Sequence, residues 1–323
     1  MNTFTSHSAV GIREDLSNVI YDVSPEDTPF MSNIGEVSIS NVLFEWQQDS
    51  LAAADGSNNQ IDGDDVSSFT AVTPTLRINN RTNISRKVFI IADNLEFVDE
   101  AGRASEIAYQ TVKAGKELKR DMETILMANV KADGGGTGSA RKCCGLSSWL
   151  ATNSVSNTAS SGTAGANPVL TSGIPTTIQT EATDQRAITE DILKSVLKNC
   201  YDNGGNPSVL MAGSFNKQTI SSFSGIAANR FQVKAAEPGT IIGAADIYVS
   251  DFGELSVVPN RFQPTRNVFA LDTEYWAMAT LRPMSVKELA KTGDAEKRLA
   301  IVEFSLMSKN EQASGAVYDC TTA

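Results

Sequence analysis

Apolar positions in the first quarter of the chain are sparse and fall into short repeats. Leu16, Val19, Ile20 and Val23 recur at i, i+3, i+4 and i+7, which draws one stripe on a short amphipathic helix. Thr28, Pro29 and Gly35 then bound a second short helix as N-cap, first-turn proline and stop, with Phe30 as its bulky apolar residue. An extended run over 37–46 leads into 49–65, a segment rich in Asp, Asn, Gly and Ala, and strand-like alternation returns over 67–79 and 82–91. The pattern predicts a long two-stranded ribbon with a polar tip. An isolated hairpin is marginal in water, and leaving Phe44, Trp46, Phe69, Val88, Phe89, Ile90 and Ile91 exposed costs roughly 1.5 to 3 kcal/mol each. Simple disorder of the segment is the competing reading. The apolar residues favour an arm and a hairpin that bury themselves against other copies of the same chain.

The strongest helical signal runs over 103–129. Ala104, Ala108, Thr111, Gly115, Leu118, Met122 and Ile125 follow 4-3-4 spacing, and Lys113, Lys116, Lys119 and Arg120 lie on the more polar side. At about 1.5 Å per residue this is a rod of roughly 40 Å, preceded by a short turn around 94–99. Gly134, Gly135, Gly136 and Gly138 break it. These glycines follow a helix instead of a strand and do not finish in Gly-Lys-Ser/Thr, so they predict a flexible connection and not a phosphate loop.

Residues 143–180 hold no charge and are crowded with Ser, Thr, Ala, Asn and Gly, which predicts a surface loop or a few short strands with little core. A helix follows, capped by Thr189, buried through Ile192, Leu193, Val196, Leu197 and Cys200, and stopped at Asn203, Gly204 and Gly205. Next come a strand over 208–211, a helix around 215–223, a hairpin of 247–250 with 255–258, and strands over 268–271, 275–281 and 299–307. Helix, strand and hairpin mix without βαβ regularity, so the fold class is α+β.

Charge sharpens the picture of the N-terminal segment. Residues 1–76 carry twelve acids against one base, Arg13, and the whole chain of 323 residues has a net charge of −11. Tight nucleic-acid binding is disfavoured, because affinity for a phosphate backbone comes largely from cations that displace counterions. A wall past which a polyanion slides should be non-adhesive. No run approaches the 18 apolar residues of a membrane span, and the N-terminus lacks a basic flank before an apolar stretch, so neither membrane nor signal peptide is expected, and the chain is expected to stay in the cytosol where it is made.

Candidate chemistry is thin. His7 is the single histidine, which argues against His-based nucleophilic catalysis. Asp55, Asp62, Asp64 and Asp65 cluster on the ribbon tip but read as a solvated acidic face, since their spacing misses the calcium-loop pattern and no apolar pocket splits their pKa values. Cys143, Cys144, Cys200 and Cys320 show no metal-ligand spacing and read as small buried hydrophobes in a reducing compartment, a vicinal disulfide being the remote alternative. No catalytic, cofactor or metal residue is expected.

In order, these parts are an arm, a long acidic hairpin, a long helix, a mixed α+β region and terminal strands. The order resembles the Hong Kong 97-type major capsid protein of tailed bacteriophages, and one family of phage head proteins more closely. The match is carried by Ser24-Pro25-Glu26-Asp27-Thr28-Pro29-Phe30, Phe44-Glu45-Trp46-Gln47-Gln48-Asp49-Ser50-Leu51, Lys116-Glu117-Leu118-Lys119-Arg120-Asp121-Met122-Glu123 and Leu289-Ala290-Lys291-Thr292-Gly293-Asp294-Ala295. It implies an N-terminal arm (1–36), an extended loop (37–91), a peripheral domain with the spine helix (92–133), an axial domain (134–265), and mixed axial and peripheral strands completing the peripheral domain (266–323).

It further implies a structural subunit of an icosahedral or prolate head, assembled as pentamers and hexamers in the host cytoplasm around double-stranded DNA. Its partners are copies of itself, a separate scaffolding protein and a portal, with room for a decoration protein. Residues expected at contacts between subunits are Leu16, Val19, Ile20, Val23, Phe30, Trp46, Asp55, Asp62, Asp64, Asp65, Lys113, Lys116, Lys119 and Arg120. Two other classes stay open: the shell of a cellular protein compartment, marked by enzyme cargo, and an enzyme with a carboxylate site, marked by a deep acidic pocket.

Overall fold

The computed structural model describes residues 24–63, 65–66, 69–98, 105–158, 162–223 and 247–322. The stripe expected at Leu16, Val19, Ile20 and Val23, the histidine at 7 and Asp64 of the tip lie outside the described residues.

Helix α1 (Pro29–Asn33) has its proline in the first turn, as the pattern requires, but the Thr28 side chain makes no capping bond. Four strands follow: β1 (Gly35–Ser38), β2 (Leu43–Gln48), β3 (Leu76–Arg81) and β4 (Asn83–Ala92). Only β2 and β3 pair as a ribbon, from Leu43 opposite Arg81 to Gln48 opposite Leu76. The ribbon is therefore shorter than the alternation suggested. The strand after Thr82 leaves it because a wider sheet buries one side of an alternating strand, as at Ile91, where a free hairpin would not.

Helix α2 (Glu106–Met127) has 22 residues, about 33 Å at 1.5 Å each. Its buried line is Ala114, Leu118, Met122 and Leu126. The expected stripe holds at Leu118 and Met122 but shifts by one residue at Gly115 and Ile125, and Ala108 is exposed. Glu96, from a 3-10 turn at Asp93–Phe97, accepts the Ile107 N–H at 2.7 Å and so caps this helix.

After α2 come the short helix α3 (Leu146–Trp149) and a small hairpin of β5 (Val169–Thr171) and β6 (Ile174–Thr177). Helix α4 (Glu190–Asp202) begins as predicted, with the Thr189 side chain accepting the Ile192 N–H, and ends where Gly204 adopts φ +83°. The remaining elements are β7 (Val209–Ala212), α5 (Ser214–Ser221), β8 (Ile247–Ser250), β9 (Gly253–Pro259), β10 (Val268–Leu271), β11 (Trp276–Leu289), β12 (Ala295–Ser308) and β13 (Gly315–Val317).

Two compact units share the chain. The larger comprises 28–85, 120–283 and 302–323, and the smaller 1–27, 86–119 and 284–301. In the larger, a five-stranded sheet of order β13-β10-β7-β9-β8 is antiparallel except for the parallel pair β7 and β9. Leu193, Val196 and Cys200 of α4 join Leu210, Val257, Val268 and Val317 of that sheet in one core, which is the reason the α4 face is apolar. A second sheet has the order β1-β11-β12-β4, with β1 parallel to β11. Helices and mixed sheets in this arrangement make an α+β fold.

Candidate assembly surfaces

The ribbon carries the least finished surface of the larger unit. Among the described residues between Gln48 and Leu76 there is no strand pairing, and Leu51, Ile61, Val66, Phe69 and Val72 stand 73% to 98% exposed. A lone subunit leaves this apolar area in water, which is unfavourable by roughly 25 cal/mol per Å². Asp55, Asp62 and Asp65 are exposed on the same segment. The Ser57 hydroxyl and amide, at 2.6 and 2.8 Å, hold the Asp55 carboxyl below the usual range. At the base of the ribbon Trp46 stacks on Phe44, ring centroids 5.4 Å apart, and lies 6.0 Å from the Trp149 ring. Trp46 is thus half-buried in its own chain.

The basic side of α2 is partly engaged in cis. Lys116 meets Glu26 at 2.6 Å, and the Arg120 guanidinium sits 5.5 Å over the Phe262 ring. Lys113 and Lys119 are exposed. The structure corrects one expected contact outright: Phe30 has no exposed surface, because α1 is docked into its own subunit, so its side chain has nothing to offer a neighbour.

That docking rests on a residue the sequence did not single out. Glu123, wholly buried on α2, accepts the Phe30 N–H at 2.7 Å, the Met31 N–H at 2.9 Å and the Asn260 side-chain amide at 2.7 Å. Burial raises its pKa against the pull of these bonds. Glu311 does similar work for the loop after α3, accepting the Ala151 and Thr152 amides at 3.3 Å, and burial raises its pKa as well. Both carboxylates are committed to backbone donors. The cavity where the ribbon opens into the tip, lined by Gln48, Leu76, Ile78, Trp149, Thr152 and Glu311 among others, contains Glu311 as its one acid. Among the described residues no three His, Cys, Asp or Glu side chains converge on a metal position, and no helix is long and apolar enough to cross a membrane.

Glu303 of β12 forms a second buried node. It accepts the Thr82 hydroxyl and Arg141 at 2.8 Å each, and Arg282 at 2.7 Å. A lone acid inside the apolar run from Ala300 to Leu306 was the available signal. Through Arg141 the node anchors the glycine-rich segment, which is an ordered turn and not a loose connection: Asp133 bridges Lys142, Gly136 bridges Ser139, and Gly135 takes φ +66°.

The uncharged stretch holds the short strands β5 and β6, as one reading of it allowed, but its first eight residues depart from expectation. Cys143 to Leu150 is buried throughout, with Trp149 among the largest fully buried side chains. Asn80 accepts the Cys144 N–H at 3.0 Å and donates to the Leu306 carbonyl at 2.6 Å, while the Tyr318 hydroxyl lies within 2.9 Å of the Ser147 and Leu150 carbonyls. Low charge here marks core, not loop. All four cysteines are free and buried, and burial pushes the thiols of Cys143, Cys200 and Cys320 up to about 12.

A family model described as the SU10 major capsid protein matches residues 1–321. The major capsid protein of Escherichia phage Phieco32 is 29% identical over 343 residues, covering 98% of this chain and 96% of the relative. Among solved structures, the capsid asymmetric unit of Cyanophage A-1(L) aligns with a TM-score of 0.65 at 11% identity over 98% of both chains. The capsid of a native GTA particle, computed with C5 symmetry, aligns with a TM-score of 0.62 at 11% identity, again over 98% of both. These structures share the Hong Kong 97-type fold with the chain.

Proposed function

The chain belongs to the SU10 major capsid protein family and is a shell subunit of a phage capsid, and from that premise we propose how its surfaces close the shell. The observation that carries the reading is the ribbon tip, whose five large apolar side chains are 73% or more exposed in the lone subunit. Burial against neighbouring copies removes that area from water, as closed symmetric assemblies do. The tip acids Asp55, Asp62, Asp64 and Asp65, the arm stripe Leu16, Val19, Ile20 and Val23, and the exposed face of α2 at Lys113 and Lys119 form the contacts between subunits. Trp46 supports the ribbon from within its own chain, and Lys116 and Arg120 contribute through the surface they leave uncovered.

Residues 1–36 act as the arm and 37–91 as the extended loop. The smaller unit, with the first part of α2, serves as the peripheral domain, and the five-stranded sheet forms the axial domain. Pentamers and hexamers enclose double-stranded DNA without gripping it, in keeping with a net charge of −11. A separate scaffolding protein and a portal complete the head, with room for a decoration protein, and assembly takes place in the host cytoplasm. Expression of the full chain alone, followed by negative-stain microscopy, tests this: capsomers or closed shells are expected, and a folded chain that stays monomeric at every concentration overturns it.

A further inference from the structure

The cavity beside the last ribbon pair, Gln48 and Leu76, has a volume of about 190 Å³ and is walled by four further elements. Trp149 comes from α3, Gly173 from the turn between β5 and β6, Ser308 from the end of β12, and Glu311 from the 3-10 turn that follows. Its inner wall is sealed and its rim is open: Ile78, Trp149 and Ser308 are 1% to 2% exposed, whereas Leu76 and Thr152 are exposed. Gly173 takes φ +74°, and a Cβ there would fall 2.7 Å from Leu76 Cδ2, so the turn lies hard against the ribbon.

Two polar groups of the residues in that inner wall are unsatisfied. The Trp149 Nε1–H and the Ser308 Oγ are buried, and among the described residues neither has a hydrogen-bond partner. The wall therefore sets the class of guest. An indole N–H is a donor only, so the guest must bring an acceptor. The Glu311 carboxylate, already accepting the Ala151 and Thr152 amides, repels an anion, and the indole N–H disfavours a cation. Leu76, Ile78 and the Trp149 ring match an apolar body. An engineered cavity of about 150 Å³ takes benzene, so this one has room for a single six-membered ring and one oxygen.

We propose that this cavity binds a small neutral molecule of one ring, whose hydroxyl or carbonyl oxygen accepts the Trp149 Nε1–H and pairs with the Ser308 hydroxyl. The bound guest ties the end of the ribbon to α3 and to the hairpin of β5 and β6. It binds the folded chain and so stabilises it by mass action. The site is complete within one subunit, so its test is separate from that of shell assembly.

Cyclohexanol is the probe and cyclohexanecarboxylate the anionic control, each added to the full chain labelled with 5-fluorotryptophan and followed by fluorine NMR. The alcohol should shift the Trp149 resonance saturably and leave that of Trp276, whose Nε1–H is already held by Ser314, in place. Amide exchange of 43–48 and 76–81 should slow about threefold or more. The carboxylate should do neither. Ser308→Ala removes a buried polar atom without a partner, so it should fold as well as the wild type and bind the alcohol about fivefold more weakly. Leu170→Phe, at another lining position, fills the space and should abolish the shift. No saturable shift up to the solubility of the alcohol is the behaviour of a cavity holding water alone, and it overturns the proposal. An equal response to the carboxylate, unchanged affinity in Ser308→Ala, or a shift without slower ribbon exchange overturns it as well. Should a variant fail to fold, the wild-type response to alcohol and carboxylate decides alone.

Discussion

Glu123 and Phe30 are joined by a hydrogen bond of 2.7 Å from the Phe30 N–H to the buried carboxylate. The long helix thereby supplies the cap that Thr28 withholds from α1, and it fixes the start of α1 in the larger unit.

Replacing Glu123 by alanine leaves the Phe30 and Met31 amides and the Asn260 side chain without this acceptor. A loss of about 2–5 kcal/mol is expected in denaturant unfolding, at 1–3 kcal/mol for each stranded buried group, with partial relaxation. The glutamine variant separates charge from shape. Burial raises the folded-state pKa of Glu123, so the folded protein binds the proton more tightly than the unfolded one. Ionisation then costs stability as pH rises through the unfolded value toward the folded one, and acidification relieves that cost. The stability of wild type relative to Glu123→Gln should therefore increase from pH 7 toward pH 5, measured by thermal melts of both proteins.

Glu303 is the common acceptor of Arg141 and Arg282. Glu303→Ala should cost about 2–3 kcal/mol, less than a fully buried pair because both arginines keep solvent contact. The glycine-rich turn should become the first site of limited proteolysis. Unchanged cleavage there would show that the turn holds itself.

Arm deletions should divide at α1. Removing residues 1–23 should leave a folded, soluble chain that sediments as small species, the stripe from Leu16 to Val23 being lost. Removing 1–35 should also destabilise the subunit, since Phe30 is a fully buried core side chain and deleting one of that size costs about 3–5 kcal/mol. Assembly of the shorter deletion as efficiently as the full chain would show that the stripe makes no contact between subunits.

Charge at the tip should govern assembly rate more than final stability, since exposed pairs contribute only about 0.2–1 kcal/mol each. Reversing Asp62, Asp64 and Asp65 to lysine should slow assembly most at low salt, where screening is weakest. Adding Lys113→Glu and Lys119→Glu should restore part of the rate in light scattering. Lys116 is left intact because it holds Glu26. Failure of the combined variant to recover would place the ribbon tip against some other surface.

Local pattern was a good guide wherever one element buries one face. Thr189, Leu193, Val196 and Cys200 specify α4 almost to the residue, and the hairpin of β8 and β9 follows from its turn. Pattern failed where burial comes from afar. Cys143 to Leu150 lacks charge because Asn80, Leu306 and Tyr318 close around it, and those partners are distant in sequence. Strand β4 looked like half of a ribbon because alternation records a buried side without recording which strand lies beside it. At the assembly surfaces, the tip acids and the basic helix were legible as composition. The engagement of Lys116 and Arg120 within the subunit, and the burial of Phe30, required coordinates.

The buried thiols have a consequence for the particle's life outside the cell. Burial pushes the thiols of Cys143, Cys200 and Cys320 up to about 12, which keeps them protonated at neutral pH, and the thiolate is the form that oxidants attack. A shell passing from a reducing interior into aerated water thus holds these cysteines in their unreactive, protonated form.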